Sequence, residues 1–199
     1  MLTACLIVVA AYLIGSVSFA VVVSKAFGLP DPHEYGSGNP GATNVLRTGN
    51  KAAALLTLVG DGIKGFVVVY GVRMLAPFVD TPDWIVPATA IVVFVGHLYP
   101  LYHHFAGGKG VATAAGIVFA LNWPLALVLT VIWLTLAFGF KISSLAALIT
   151  ATLLPLGTFY VFGYALVSWA MLMIAALIFW RHRTNIRHLL AGKERVIGD

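Results

Sequence analysis

The chain has 199 residues, of which 60% belong to the apolar set AVILMFWYC and only 10% are charged. Ordinary soluble proteins carry about 25% charged residues and disordered chains combine low hydrophobicity with high charge, so both classes are excluded and an integral membrane protein remains. Twelve Lys and Arg against seven Asp and Glu leave a net charge of +5, which here reflects the cation excess on the cytoplasmic side of membrane segments rather than a nucleic-acid partner. The single cysteine, Cys5, forms no internal disulfide and fits no metal-ligand spacing.

Residues 2–24 are 23 uncharged residues with the first cation, Lys25, behind them. A signal peptide has the reverse polarity and a shorter apolar core, so a retained membrane helix is expected. Residues 25–51 are polar and hold Gly28, Pro30, Pro32, Gly36, Gly38, Pro40 and Gly41, which is loop chemistry. Residues 52–77 are apolar, interrupted by Asp61 and Lys64 and with Arg73 near the outer end, and an acidic turn with Asp80 and Asp83 follows. Residues 84–102 suffice for another span and lead into the loop His103-His-Phe-Ala-Gly-Gly-Lys-Gly110. Residues 111–140 are 30 uncharged residues, about 45 Å as one helix against a hydrocarbon core of about 30 Å, with Asn122-Trp-Pro124 in the middle. Residues 142–180 are too long for one span and have Gly163 as a natural break.

Charge sidedness sets the count. The loops after the first and third spans are basic (Lys25, Arg47, Lys51; Lys109), and the loop after the second is acidic, so the N-terminus lies outside. The tail, with Arg181, Arg183, Arg187, Lys193 and Arg195, lies inside. An odd number of spans is then required: residues 111–140 cross twice, turning near Asn122, and the total is seven. Ten of the twelve cations fall on the cytoplasmic side, Lys64 and Arg73 being the exceptions. The expected fold is all-α, a single membrane domain over 1–199, with short helices around Gly-rich loops at the cytoplasmic face.

The residues with chemical potential gather on that face. Gly36-Ser-Gly-Asn-Pro-Gly-Ala-Thr-Asn-Val-Leu-Arg47 formally matches G-x-G-x-x-G, but a dinucleotide fingerprint needs a preceding strand, and here a membrane helix precedes. What survives is a concavity of backbone N–H groups suited to an anion, with Ser37, Asn39, Thr43 and Asn44 as neutral donors and Arg47 as a phosphate clamp. Gly107-Gly-Lys-Gly110 lacks the Ser/Thr of a P-loop, so NTP hydrolysis is not expected; it is either an anion site at a helix start or a glycine turn with an ordinary cytoplasmic lysine. Asp61 and Lys64, at i and i+3, share a helix face; structural pairing is the preferred reading, with a phosphate contact from Lys64 as the alternative. In Arg181-His-Arg-Thr-Asn-Ile-Arg187, His182 and Asn185 share a face and suggest a site, while the arginines also suit a membrane-surface anchor. His97 reads as a helix-packing donor, and Lys141-Ile-Ser-Ser144 as an inner turn whose hydroxyls could face the site.

Absences narrow the chemistry. There is no G-x-S-x-G elbow, no H-E-x-x-H, and no His followed five positions later by Asp. Acids on the inner side are few: Asp31, Glu34, Asp61, Glu194 and Asp199. A base held by an orienting carboxylate has little to draw on.

Taken in order, G-S-G-N-P-G-A-T-N-V-L-R, D-x-x-K-G (residues 61–65), G-H-x-Y-P (96–100), G-G-K-G-V-A-T-A and R-H-R-x-N-I resemble the bacterial acyl-phosphate:glycerol-3-phosphate acyltransferases, the PlsY family. The resemblance implies seven spans with the N-terminus outside, in the bacterial inner membrane, and acyl transfer from acyl phosphate to glycerol 3-phosphate. Lysophosphatidic acid and inorganic phosphate would be the products, with no cofactor or metal, as a monomer. By motif, residues 36–44 (Gly36, Ser37, Gly38, Asn39, Gly41, Ala42, Thr43 and Asn44 among them) would cradle the acyl-phosphate head with Lys64 nearby. Ser37, Arg47, Lys109, Ser144, His182 and Asn185 would surround glycerol 3-phosphate or the reacting centre, supported by Gly107, Gly108, Gly110 and Arg183. The lipid tail would lie between apolar helices open to the bilayer. The substrate's own phosphate would take the hydroxyl proton, with His182 as general base the competing idea. Two positions depart from the family pattern: Ala106 replaces a lysine, and Thr184 stands where an acidic residue or its relative often does. A carrier of phosphorylated anions and a thioester-dependent acyltransferase are the rival classes; polar residues on one face and no internal repeat argue against the carrier.

Overall fold

The computed structural model describes residues 1–197, so Asp199, counted above among the inner acids, lies outside them. All regular elements among the described residues are helical: α1 Leu2–Gly15, α2 Phe19–Ala26, α3 Ala42–Leu46, α4 Lys51–Leu75, α5 Ile85–Leu98, α6 Val111–Leu121, α7 Trp123–Phe140, α8 Ser143–Phe162, α9 Leu166–Arg181 and α10 Arg183–Leu190. Four helical stretches, Lys51–Phe78, Ile85–His103, Trp123–Phe140 and Ser143–Phe162, are long and apolar enough to cross a bilayer, or up to six counting the bent pairs α1/α2 and α9/α10.

The first stretch departs from the continuous helix expected of it. α1 and α2 meet at a 43° bend. Ser16 Oγ donates back to the Tyr12 carbonyl at 2.8 Å, a bond that bends helices, and Gly-Ser steps are common kink sites. The break strands the Val17 carbonyl, which would be costly in hydrocarbon. Lys64 Nζ donates to it at 2.7 Å. Beside the break, Gly15 presses on the Val93 backbone and Gly96 on Tyr12 and Gly15, so α1 crosses α5 with no room for a Cβ.

Helix α4 is the axis of the bundle, and α6 packs on it in parallel. Thr113 Oγ1 donates to the Asp61 carbonyl at 3.0 Å, and Arg73 Nη1 donates to the Ala120 and Leu121 carbonyls at 2.8 and 2.9 Å. Asp61 is ten residues into α4, so α6 begins about 15 Å along its partner. That recessed start is how 11 residues, about 16 Å, reach from the middle of α4 to the level of Arg73. Arg73, an exception in the cation count, caps the carbonyl end of α6. Gly116 against the Gly62 backbone and Gly65 against Thr113 permit the approach.

The break in residues 111–140 falls at Asn122. Its Oδ1 accepts from the Leu125 N–H at 2.9 Å, capping α7, with Pro124 in the first turn. Gly163, at φ +59°, ends α8. Phe94, Leu98, Ile117, Met171 and Ile174 form the sealed core, whereas α7 buries only Ala126 and Ala137.

Candidate active site

Four segments that are distant in sequence meet beside the start of α6. Lys109 Nζ donates to Asn185 Oδ1 at 2.6 Å. Asn185 Nδ2 donates to Glu194 Oε1 at 2.6 Å, and Ser144 Oγ donates to the same oxygen at 2.9 Å. His182 Nδ1 lies 2.8 Å from the Ile178 carbonyl. A carbonyl can only accept, so Nδ1 carries the proton and Nε2 is a bare acceptor. These residues line one cavity of about 720 Å³ together with Ser37, Asn39, Gly41, Ala42, Thr43 and Arg47. All six residues placed at the reacting centre by sequence therefore share one space. The uncapped N-terminus of α6, at Gly110, opens into it and favours negative charge.

The loop of residues 36–44 is held from within. Asn44 is 3% exposed; its Oδ1 accepts from the Ser37 N–H and Oγ at 2.9 and 3.2 Å, and its Nδ2 donates to the Pro32 and Tyr35 carbonyls at 2.9 and 3.2 Å. The amide expected to meet substrate is largely committed to shaping the loop. Gly36 and Gly38 adopt φ of +59° and +64°, and a Cβ on Gly36 would collide with Asn44.

The second glycine loop is likewise fastened by its backbone. Gly108 N–H donates to the His97 carbonyl at 3.2 Å. Arg181 takes the Gly107 and Gly108 carbonyls at 2.6 and 3.1 Å while lying over the Tyr99 ring. These glycines position Lys109, and Gly110, at φ +84°, packs on Phe94. Arg183 instead stacks on Trp180 at 5.0 Å. It lines a smaller, more polar space of about 470 Å³ that shares Ser37, Arg47, Lys109, Asn185 and Glu194 with the main cavity.

Lys64 lines neither space. It pairs with Asp61 Oδ1 at 2.9 Å and serves the Val17 carbonyl, with His97 Nδ1 3.5 Å from the same carboxylate oxygen. This is the structural pairing preferred from the sequence, and it sets Lys64 behind Asp61 and His97. Two further residues belong to this network. Arg181 opens the motif that carries His182 and Asn185, and that position is its signal in the sequence; Glu194 has only the scarcity of inner acids to mark it.

Electrostatics follow from burial. The Lys109 ammonium is pushed down to about 8, with Arg181 and Arg47 adding to the desolvation and Glu194 opposing it. His182 is pushed down to about 4 by burial and the Lys109 charge, so the imidazole is neutral at pH 7.

A profile of the glycerol-3-phosphate acyltransferase family matches residues 5–192. The glycerol-3-phosphate acyltransferase of Cupriavidus metallidurans is 57% identical over 196 residues, 98% of this chain and 96% of that protein. The chain belongs to the glycerol-3-phosphate acyltransferase family. Another member, from Burkholderia ambifaria, is 56% identical over 191 residues, 95% of this chain and 88% of that one. The crystal structure of PlsY (YgiH), an integral membrane glycerol 3-phosphate acyltransferase, in its glycerol 3-phosphate form is similar with a TM-score of 0.91 at 37% identity, covering 98% of this chain and 96% of that chain. Its lysophosphatidic acid form matches at a TM-score of 0.87. The family resemblance drawn from ordered motifs thus holds along nearly the whole chain.

Proposed function

We propose that this protein transfers a fatty acyl group from acyl phosphate to glycerol 3-phosphate, releasing lysophosphatidic acid and inorganic phosphate in the first step of bacterial phospholipid synthesis. The observation that carries the reading is one cavity with two chemistries. Lys109, Arg47, Ser37 and the α6 N-terminus line its polar end, while Leu58, Ile63, Leu134 and Phe138 line an apolar flank exposed on the outside of the bundle. A phosphate belongs at the first and an acyl chain, supplied from the bilayer, at the second. Both substrates are phosphorylated, which accounts for two glycine loops around one cationic space.

The acceptor hydroxyl oxygen attacks the acyl carbonyl carbon, the bond from that carbon to the phosphate oxygen breaks, and phosphate leaves. Lys109, Arg47 and Ser37 stabilise the negative charge that develops on the carbonyl and the leaving group. Residues 36–44 hold the donor's head. Ser144, Asn185 and His182 orient glycerol 3-phosphate. The hydroxyl proton passes to the substrate's phosphate. His182, at about 4, is a weaker base than a phosphate with a second pKa of about 6, and its bare Nε2 holds the hydroxyl in line.

Seven spans fit this site. The pair α1/α2, then α4 to α9, cross in alternation, with α6 as the shortest. The parallel packing of α4 and α6 supports a common starting face, and the basic loops put that face, the C-terminus and the site in the cytoplasm. The protein then acts as a single-domain monomer in the inner membrane.

The test is phosphate release by purified protein in lipid, with palmitoyl phosphate and glycerol 3-phosphate supplied separately and together. Release is expected only with both, with lysophosphatidic acid formed and Lys109→Ala inactive. Transfer from acyl-CoA alone would reassign the donor. Flux of glycerol 3-phosphate into liposomes without phosphate release would replace the enzyme with a carrier.

A further inference from the structure

The apolar half of the cavity is a wedge with an open side and a closed end. Near the polar groups its walls include Leu58 and Ile63 of α4 and Phe138 of α7, which are 42, 52 and 78% exposed. At the far end the walls are Val118 of α6, Ala126 of α7 and Leu154 of α8, which are 3, 2 and 4% exposed. The closure follows from the chain path. Val118 and Ala126 lie four residues either side of Asn122, where Asn122 N–H donates to the Val118 carbonyl at 2.8 Å and Ala126 N–H donates to the Asn122 carbonyl at 3.1 Å. α6 and α7 are therefore joined at the floor, and the cavity is lined by both helices from there toward the mouth.

The depth can be read from the helices. Ser144, at the polar end, and Leu154, at the floor, are ten residues apart on α8, about 15 Å at 1.5 Å per residue. A zigzag of carbon–carbon bonds of about 1.5 Å advances about 1.25 Å per carbon. An extended acyl chain anchored beside Ser144 meets the floor after about twelve carbons.

We infer that the floor formed by Val118, Ala126 and Leu154 gauges the acyl chain, accepting about the first twelve carbons and turning the remainder of a longer chain out through the open side. This rests on the acyl-phosphate reading above. Ala126 is the sensitive position. Its methyl sits where α6 and α7 converge, and interiors packed near crystal density transmit a change of a single methylene. Selectivity here is steric, because the donor's tail starts in hydrocarbon and gains little apolar burial on entering the wedge.

The experiment measures kcat/KM for octanoyl, dodecanoyl and myristoyl phosphates with glycerol 3-phosphate, for the unmodified protein, Ala126→Phe, Ala126→Val and Leu154→Ala in lipid. Ratios are taken within each protein, so partial misfolding cancels. Ala126→Phe is expected to lower the dodecanoyl-to-octanoyl ratio at least tenfold, and Ala126→Val to lower it less. Leu154→Ala, which deepens the floor, is expected to raise the myristoyl-to-dodecanoyl ratio at least threefold. Ratios within twofold of the unmodified protein in all variants would mean that the tail leaves by the open side and never reaches the floor, overturning the gauge while leaving the acyltransferase intact. Absence of lysophosphatidic acid from the unmodified protein with every acyl phosphate would instead sink the underlying reading, and the gauge with it.

Discussion

Lys109 keeps a charge that its surroundings disfavour. Its pKa of about 8 lies below the ordinary lysine value of about 10.4, so the charged form is penalised in the folded state. Between those two values the unfolded chain binds more protons than the folded one, so stability rises as pH climbs through the window. At neutral pH the ammonium costs about 3 kcal/mol, a burden that makes sense if it is offset when an anion binds. Lys109→Met should therefore lose acyl transfer by at least a hundredfold while its thermal midpoint in detergent holds or rises; a midpoint lowered by several degrees would refute the cost. In the unmodified protein kcat/KM should decline above pH 8 as Lys109 deprotonates, and a flat profile to pH 9.5 would contradict its role. His182→Gln should keep kcat within about tenfold, because the amide can still hold the hydroxyl; near-complete loss would restore His182 as the base. At this scale the sequence was informative about which polar side chains meet: Ser37, Arg47, Lys109, Ser144, His182 and Asn185 all reach the cavity. It was silent where the role is a contact. Arg181 meets Gly107 across 74 positions and Glu194 meets Ser144 across 50, and no local pattern encodes either pairing.

Individual elements show a similar division. Hydropathy marks residues 2–24 as one run because Ser16, Val17 and Ser18 are uncharged, yet the helix breaks there and the break matters through Lys64. That ammonium simultaneously satisfies a stranded carbonyl and a buried carboxylate. Removing one member of a buried pair is far worse than removing both. Lys64→Met should destabilise by about 3–5 kcal/mol, and Asp61→Asn combined with Lys64→Met should recover a large part of it. Thermal unfolding of the two single variants and the double variant gives the coupling, and strict additivity would mean that the pair is not the reason for either residue. The split at Asn122, by contrast, was legible because Asn and Pro before an apolar run carry their own capping signal. What the sequence did not disclose is that α6 begins part-way along α4, since a recessed start depends on packing between Gly62, Gly65 and Gly116 rather than on hydropathy.

For the molecule as a whole, composition was enough to specify a helical membrane protein, but not how the chain closes over the site. The tail beyond α10 runs across the site as a strap. Glu194 bonds Ser144 and Asn185, Arg195 Nη1 reaches the Gly36 carbonyl at 3.4 Å, and Ile197 N–H donates to the Lys141 carbonyl at 2.6 Å. The strap thus links the first glycine loop, the turn before α8 and the segment carrying His182, while none of its described residues belongs to the buried core. A chain ending at Gly192 should therefore fold, with a thermal midpoint within a few degrees of the full chain. It should nevertheless lose at least tenfold in kcat/KM, because Asn185 no longer has the carboxylate that aims its oxygen at Lys109. Glu194→Gln separates charge from scaffold. The glutamine oxygen can still accept from Ser144 and Asn185, so if aiming is the role, this variant should stay within threefold of the unmodified protein where the truncation does not. If Glu194→Gln were as impaired as the truncation, the carboxylate's charge would be the essential feature, holding the Lys109 ammonium protonated, and the decline in activity with pH should then begin at a lower pH in that variant.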